Sequence, residues 1–164
     1  VRECCYFTRE PQGRPEETVL NTVERSALVP YTAEQMFSLV DDVESYPGFL
    51  PWCGATKVRF RDELVTEAEI GVNYRGIRQT FTTRNSKTFP SVMTLRLVDG
   101  PFRALDGEWR FSALGTAGCR IDFRLSYEFS GGLLDRLFAP VFKHIAESMM
   151  DAFLRRADQL HPSS

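Results

Sequence analysis

The chain has 164 residues, of which 43% are hydrophobic and 26% charged, and it carries a net charge of −2. That suffices for one domain with a sizeable core and excludes disordered or collagen-like polymers. No apolar run approaches membrane-spanning length, and the near-neutral charge does not mark out a nucleic-acid binder.

Residues 1–20 contain Pro11, Gly13 and Pro15 without periodicity, so they are expected to form a disordered tail outside a domain spanning 21–161. They hold three Arg and four Glu, which leaves 17 basic against 18 acidic side chains in the remainder. No apolar signal-peptide core precedes the domain. Cys4 and Cys5 are adjacent while Cys53 and Cys119 stand alone, which predicts reduced thiols in a cytoplasmic protein and no zinc site.

Thr22–Val29 reads as a first strand closed by Pro30, and Thr32 as the N-cap of a helix reaching about Val40. A short helical turn and a proline-stiffened segment follow, carrying Tyr46, Phe49, Leu50 and Trp52. Six segments then alternate apolar and polar residues. Val58 and Phe60 oppose Lys57, Arg59 and Arg61, and the row from Leu64 through Ala68 and Val72 to Tyr74 opposes Glu67 and Glu69. Phe81 with Thr83, Met93 with Leu95, Trp109 with Phe111, and Cys119 through Phe129 supply the later inner rows. Period-two patterning of this kind predicts an antiparallel sheet with one wet face.

The last stretch, Gly132 to Leu160, has apolar residues at Leu134, Leu137, Phe138, Val141, Ile145, Met149, Phe153, Ala157 and Leu160. Their spacing predicts one long helix, roughly 40 Å at 1.5 Å per residue, around which the sheet wraps. Pro140 is expected to kink it or to start a second helix. The whole is an α+β fold with its helices on one face of the sheet.

Catalytic chemistry finds little support. His144 and His161 lie on or beyond the helix without a nucleophile constellation, and no phosphate-loop, dinucleotide or zinc-protease motif is present. No catalytic or metal-ligating residue is assigned. A basic stripe exists in Lys57, Arg59 and Arg61, with Arg75, Arg78, Arg84 and Lys87 following. It would suit RNA phosphates or anionic lipid, but Glu67, Glu69, Glu108, Asp122 and Glu128 suggest a solvated, balanced sheet face instead. Aromatic and flexible apolar residues come from three elements: Tyr46, Phe49, Leu50 and Trp52; Tyr74, Phe81, Met93, Leu95 and Trp109; and Phe138, Phe142, Ile145 and Met149. These fit the walls of an apolar tunnel, although a packed core uses the same residue types.

Several motifs resemble one family. Ala27-Leu28-Val29-Pro30-Tyr31, Ser45-Tyr46-Pro47, Phe49-Leu50-Pro51 with Cys53, Phe81-Thr82-Thr83-Arg84-Asn85, Leu97-Val98-Asp99-Gly100-Pro101-Phe102 and Val141-Phe142-Lys143 occur in the order seen in the bacterial RatA proteins and mitochondrial coenzyme Q-binding proteins. The resemblance covers about Thr22 to Leu160 and belongs to the START-like (polyketide cyclase/dehydratase) superfamily. It implies a helix-grip fold, with a seven-stranded antiparallel sheet curled around the C-terminal helix. For one branch it implies non-enzymatic ubiquinone binding in support of respiration, with no cofactor required. For RatA it implies a toxin that binds the large ribosomal subunit and blocks its joining to the small one. Superfamily relatives also include polyketide cyclase-like enzymes. Trp52 before Cys53, the near-neutral charge and Pro140 depart from the RatA pattern. The resulting expectation is a ubiquinone binder, with peripheral membrane contact and no DNA partner. RatA-like ribosome binding through Lys57, Arg59 and Arg61 stands second.

Overall fold

The computed structural model describes residues 21–162. Residues 1–20, with the expected tail and Cys4 and Cys5, lie outside the described residues. Within them the order is β1 (Asn21–Val29), α1 (Ala33–Asp41), a 3-10 helix (Val43–Gly48), β2 (Cys53–Arg61) and β3 (Val65–Tyr74). Then come β4 (Ile77–Thr88), β5 (Val92–Asp99), β6 (Phe102–Leu114), β7 (Gly118–Phe129) and α2 (Leu133–Leu160). The strands form one seven-stranded antiparallel sheet in the order β1-β7-β6-β5-β4-β3-β2. The sheet curls about α2, as a helix-grip fold requires.

Helix α1 starts where the sequence places it. The Gln35 backbone N–H donates to Thr32 Oγ1 at 3.1 Å, and Thr32 N donates to Gln35 Oε1 at 2.9 Å. This reciprocal capping satisfies two donors that the first turn would otherwise leave open. The buried face of α1, with Met36, Phe37, Leu39 and Val40, closes one end of the sheet.

Helix α2 runs from Leu133 through Leu160 without interruption, so Pro140 neither ends it nor starts another. Pro140 and Arg136 are both exposed, and the Arg136 carbonyl that loses its helical donor can turn to water. The helix buries Phe138, Phe142, Ile145, Ala146, Met150, Phe153 and Ala157. Two members of the expected stripe do not join it: Leu137 is 54% exposed and Leu160 47%. Met149 is half-buried at the edge of the core, and Met150 takes the interior position.

Two inner-row assignments in the sheet also differ. Phe60 is 48% exposed because the β2–β3 register shifts between Val58 and Phe60, and such a bulge turns the following side chains over. Leu64 is 68% exposed because it belongs to the β2–β3 turn, where Leu64 N and Val65 N both donate to Asp62 Oδ1. Strand β4 extends to Thr88, and Lys87, grouped in the sequence with the exposed basic stripe, is buried.

Candidate functional site

Two places carry chemistry: the space between sheet and α2, and the charged outer surface. The first is filled by aromatic rings. Around the N-terminal half of α2, Phe142 packs against Tyr127 at 4.7 Å, Phe102 at 4.8 Å, Phe138 at 5.7 Å and Phe81 at 6.2 Å, between ring centroids. Around its C-terminal half, Trp109 stacks on Phe123 at 4.2 Å and meets Phe153 edge-on at 5.4 Å. Phe153 also contacts Tyr46 and Phe49 at 5.4 and 5.5 Å. Offset and edge-to-face contacts of this kind add to simple burial.

The residues proposed as tunnel walls gather here. Leu50, Trp52, Phe81, Met93, Trp109, Phe138, Phe142 and Ile145 are buried, while Tyr46, Phe49, Tyr74, Leu95 and Met149 pack half-buried against them. Tyr46 donates its hydroxyl to the Val40 carbonyl, and burial pushes its phenol well above the ordinary range. Among the described residues three buried side-chain polar atoms have no partner: Trp52 Nε1, Asn85 Oδ1 and, on α2, Arg156 Nε. An orphaned buried donor or acceptor costs about 1–3 kcal/mol, so the Trp52 N–H is a point where a ligand acceptor, and Asn85 Oδ1 one where a ligand donor, would be stabilising. Trp52 belonged to the sequence-derived set. Asn85 did not, although the inward parity of β4 after Phe81 and Thr83 would have pointed to it.

A separate cleft of about 800 Å³ lies outside the grip, lined by Phe37, Asp41, Arg61, Leu64, Lys87 and Phe89 among others. None of the tunnel candidates lines it. At its floor Asp41 accepts from Thr66 Oγ1 at 2.8 Å and from Lys87 Nζ at 3.1 Å. These contacts tie α1 to β3 and β4.

Elsewhere on the surface, six of the fourteen arginines among the described residues are engaged by carboxylates. Arg59 pairs with Glu69, Arg84 with Glu67, Arg103 with Glu128, Arg110 with Glu108 and Arg120 with Asp122. Arg61 holds Glu44 and donates to the Asp41 carbonyl at 2.8 Å. The Arg61 hydrogen bond lowers the Glu44 pKa, so this pair adds stability above the ordinary Glu range and loses it as pH falls through the lowered value. Of the three sequence-derived RNA candidates, Arg59 and Arg61 are therefore occupied, and Lys57 sits opposite Glu69 in the β2–β3 register.

Nucleophilic chemistry is disfavoured at the thiols. Burial pushes Cys53 up to about 11 and also raises Cys119, so neither offers a thiolate at neutral pH. Both are free, and no group of three metal-ligating side chains occurs among the described residues. No helix among them is long and apolar enough to cross a membrane.

Comparison with known proteins places this geometry. The chain is 43% identical over 145 residues to the ribosome association toxin RatA of Escherichia coli K12, covering 88% of this chain and 92% of that protein. It is 30% identical over 141 residues to a mitochondrial coenzyme Q-binding protein of Xenopus laevis, covering 83% of this chain and 57% of that one. The crystal structure of an aromatase/cyclase from Streptomyces sp. R1128 superposes with a TM-score of 0.74 at 17% identity, covering 87% of this chain and 97% of that one, a likeness of fold alone. Residues 29–154 match the family described as polyketide cyclase/dehydrase and lipid transport, and the chain belongs to that family, in the branch holding RatA and the coenzyme Q-binding proteins.

Proposed function

We propose that this protein is a non-catalytic, ribosome-associating protein of the RatA type, acting in the cytoplasm on the large ribosomal subunit. The observation that carries the reading is the 43% identity to RatA, which extends over 92% of that protein. It outweighs the 30% identity to the coenzyme Q-binding relative, of which only 57% is covered, and so reverses the order expected from the sequence. The burial that raises the Cys53 and Cys119 thiols fits a binding role.

The test is sedimentation of the full chain with purified large and small subunits. The protein is expected to travel with the large subunit and to reduce subunit joining. A contact that neutralises three phosphates should weaken about 40-fold between 50 and 200 mM salt. Protein that stays at the top of the gradient at low salt would refute this reading.

Ubiquinone binding is a second reading, favoured by the unpartnered indole N–H of Trp52 among apolar side chains. A quinone carbonyl is an acceptor suited to that donor. The ring would have to enter by displacing side chains now packed between α2 and the sheet. Trp52→Phe is expected to lower ubiquinone affinity roughly fivefold, the worth of one neutral hydrogen bond. Thermal stability should hold or rise, because the orphaned donor is gone. Unchanged affinity, read by quenching of the remaining Trp109 fluorescence, would remove the indole from the site.

A further inference from the structure

If the protein engages ribosomal RNA, much of the sheet face is a poor surface for it, since Arg59, Arg84, Arg103, Arg110 and Arg120 would each have to leave a carboxylate. The distribution of charge indicates another place. From Gly71 to Val98 the chain has no acidic residue and five basic ones, Arg75, Arg78, Arg84, Lys87 and Arg96. Glu67 engages Arg84, and Asp41 engages the buried Lys87. Arg96 lies between Arg84 and Asp106 in the strand register. Arg75 and Arg78 are exposed at the β3–β4 hairpin tip, and neither forms an ion pair with a described residue.

The hairpin tip is also built in an unusual way. Arg75 has φ 51°, in the left-handed region, and is the one non-glycine residue there among those described. A two-residue hairpin turn asks for this conformation, but Asn, Asp or Gly ordinarily supplies it, because a long side chain is strained there. The Arg75 guanidinium lies over the Tyr74 ring, 5.0 Å from its centroid. Tyr74 in turn stacks on His144 of α2 at 5.5 Å and 12°. Guanidinium, phenol and imidazole thus form a layered stack joining the hairpin tip to the helix, and the exposed Lys143 precedes His144 in the sequence. Glu147, one turn further along α2, is the nearest acidic position on the helix after it.

We infer that this stack, Arg75–Tyr74–His144 with Arg78 and Lys143, is the RNA-contacting surface of the protein and takes phosphates and an unpaired base of ribosomal RNA. The inference rests on the ribosome-association reading and names where that contact is made. Planar cationic and aromatic groups suit an unstacked base, and the neighbouring cations suit the backbone on either side of it. A left-handed arginine is a local cost in the fold, and such costs gather at functional positions.

The experiment measures large-subunit affinity of the full chain over a salt series, together with melting temperature. Arg75→Gly relieves the left-handed strain, so it should melt at the same temperature or higher while binding about tenfold more weakly. The double change R75E/R78E should abolish binding at 150 mM salt. At lower salt it should reduce the slope of log K against log salt by about one to two. R103E/R110E, equal in charge change but placed on the ion-paired sheet face, should bind within about twofold of wild type. Wild-type binding that persists unchanged in R75G and R75E/R78E would overturn the surface assignment while leaving ribosome association intact. A wild type that does not bind the subunit would end both. Vesicles of phosphatidylglycerol form the remaining arm. Vesicle binding lost in R75E/R78E, with subunit binding retained, would assign the stack to a membrane and overturn the RNA proposal.

Discussion

Asp41→Ala is expected to destabilise the protein by about 3–5 kcal/mol, measured by urea unfolding at neutral pH. The Lys87 side chain is 5% exposed and its partner Asp41 21% exposed, so the ammonium sits largely away from water. Removing the carboxylate leaves that charge buried and uncompensated, and also strips Thr66 Oγ1 of its acceptor. The cost comes mostly from the stranded charge, because a buried pair contributes little beyond its own desolvation. D41A/K87M should therefore be much less destabilised than D41A alone. A D41A loss below about 1 kcal/mol would mean that water from the adjoining cleft reaches Lys87 and solvates it. The pair joins the last residue of α1 to β4, so D41A should also loosen the lid that α1 places over this end of the sheet.

The sheet was legible because the strands from β3 to β7 keep one apolar row each, and a one-residue slip would have put that row in water. The cap of α1 was legible for a local reason, since Thr32 and Gln35 are three residues apart and satisfy each other. What the sequence hid depends on distant partners or on departures from regular period. Phe60 follows a bulge that no residue type announces, and Leu64 lies in a turn closed by Asp62. The expected α2 stripe, spaced by threes and fours, followed one line of apolar residues, and most of that line is buried. Along it Ile145, Phe153 and Ala157 are buried, but Met149 is half-buried, and the adjacent Met150, which faces the core, was not in the expected line. Lys87 was the instructive case. Strand parity from Phe81 through Thr83 and Asn85 points it inward, but a lysine without a visible counter-ion reads as exposed. Its partner lies 46 residues away on another element. Arg59 is held by Glu69, one of the carboxylates the sequence set against the basic stripe, whereas Glu44, which holds Arg61, lies on the 3-10 helix and was not among them. At the β3–β4 tip the reverse is true. The Arg75-Gly76 turn was readable, but the stack of Tyr74 on His144 depends on α2 passing beside it.

Phe142→Ala is expected to cost about 3–5 kcal/mol if the interior is a packed core, the range for a fully buried aromatic. Phe142 is 2% exposed and its ring touches those of Phe81, Phe102, Tyr127, Phe129 and Phe138, drawn from β4, β6, β7 and α2 itself. Truncation removes the ring at the centre of that group, and the rigid sheet on one side limits collapse into the space. The size of the loss also separates the two functional readings. A ribosome-binding protein has no need of internal space, so the full cost should appear and added ubiquinone should recover none of it. A quinone carrier must part these rings to admit its ligand, and a site that already opens tolerates truncation with a loss nearer 1 kcal/mol. In that case ubiquinone at 100 times its Kd should restore about 2.7 kcal/mol to the variant, the mass-action limit for a ligand bound only by the folded state. Urea unfolding of wild type and Phe142→Ala, each with and without ubiquinone, reads both effects in one experiment. A full loss without rescue leaves the interior as structure and the surface as the working part of the molecule.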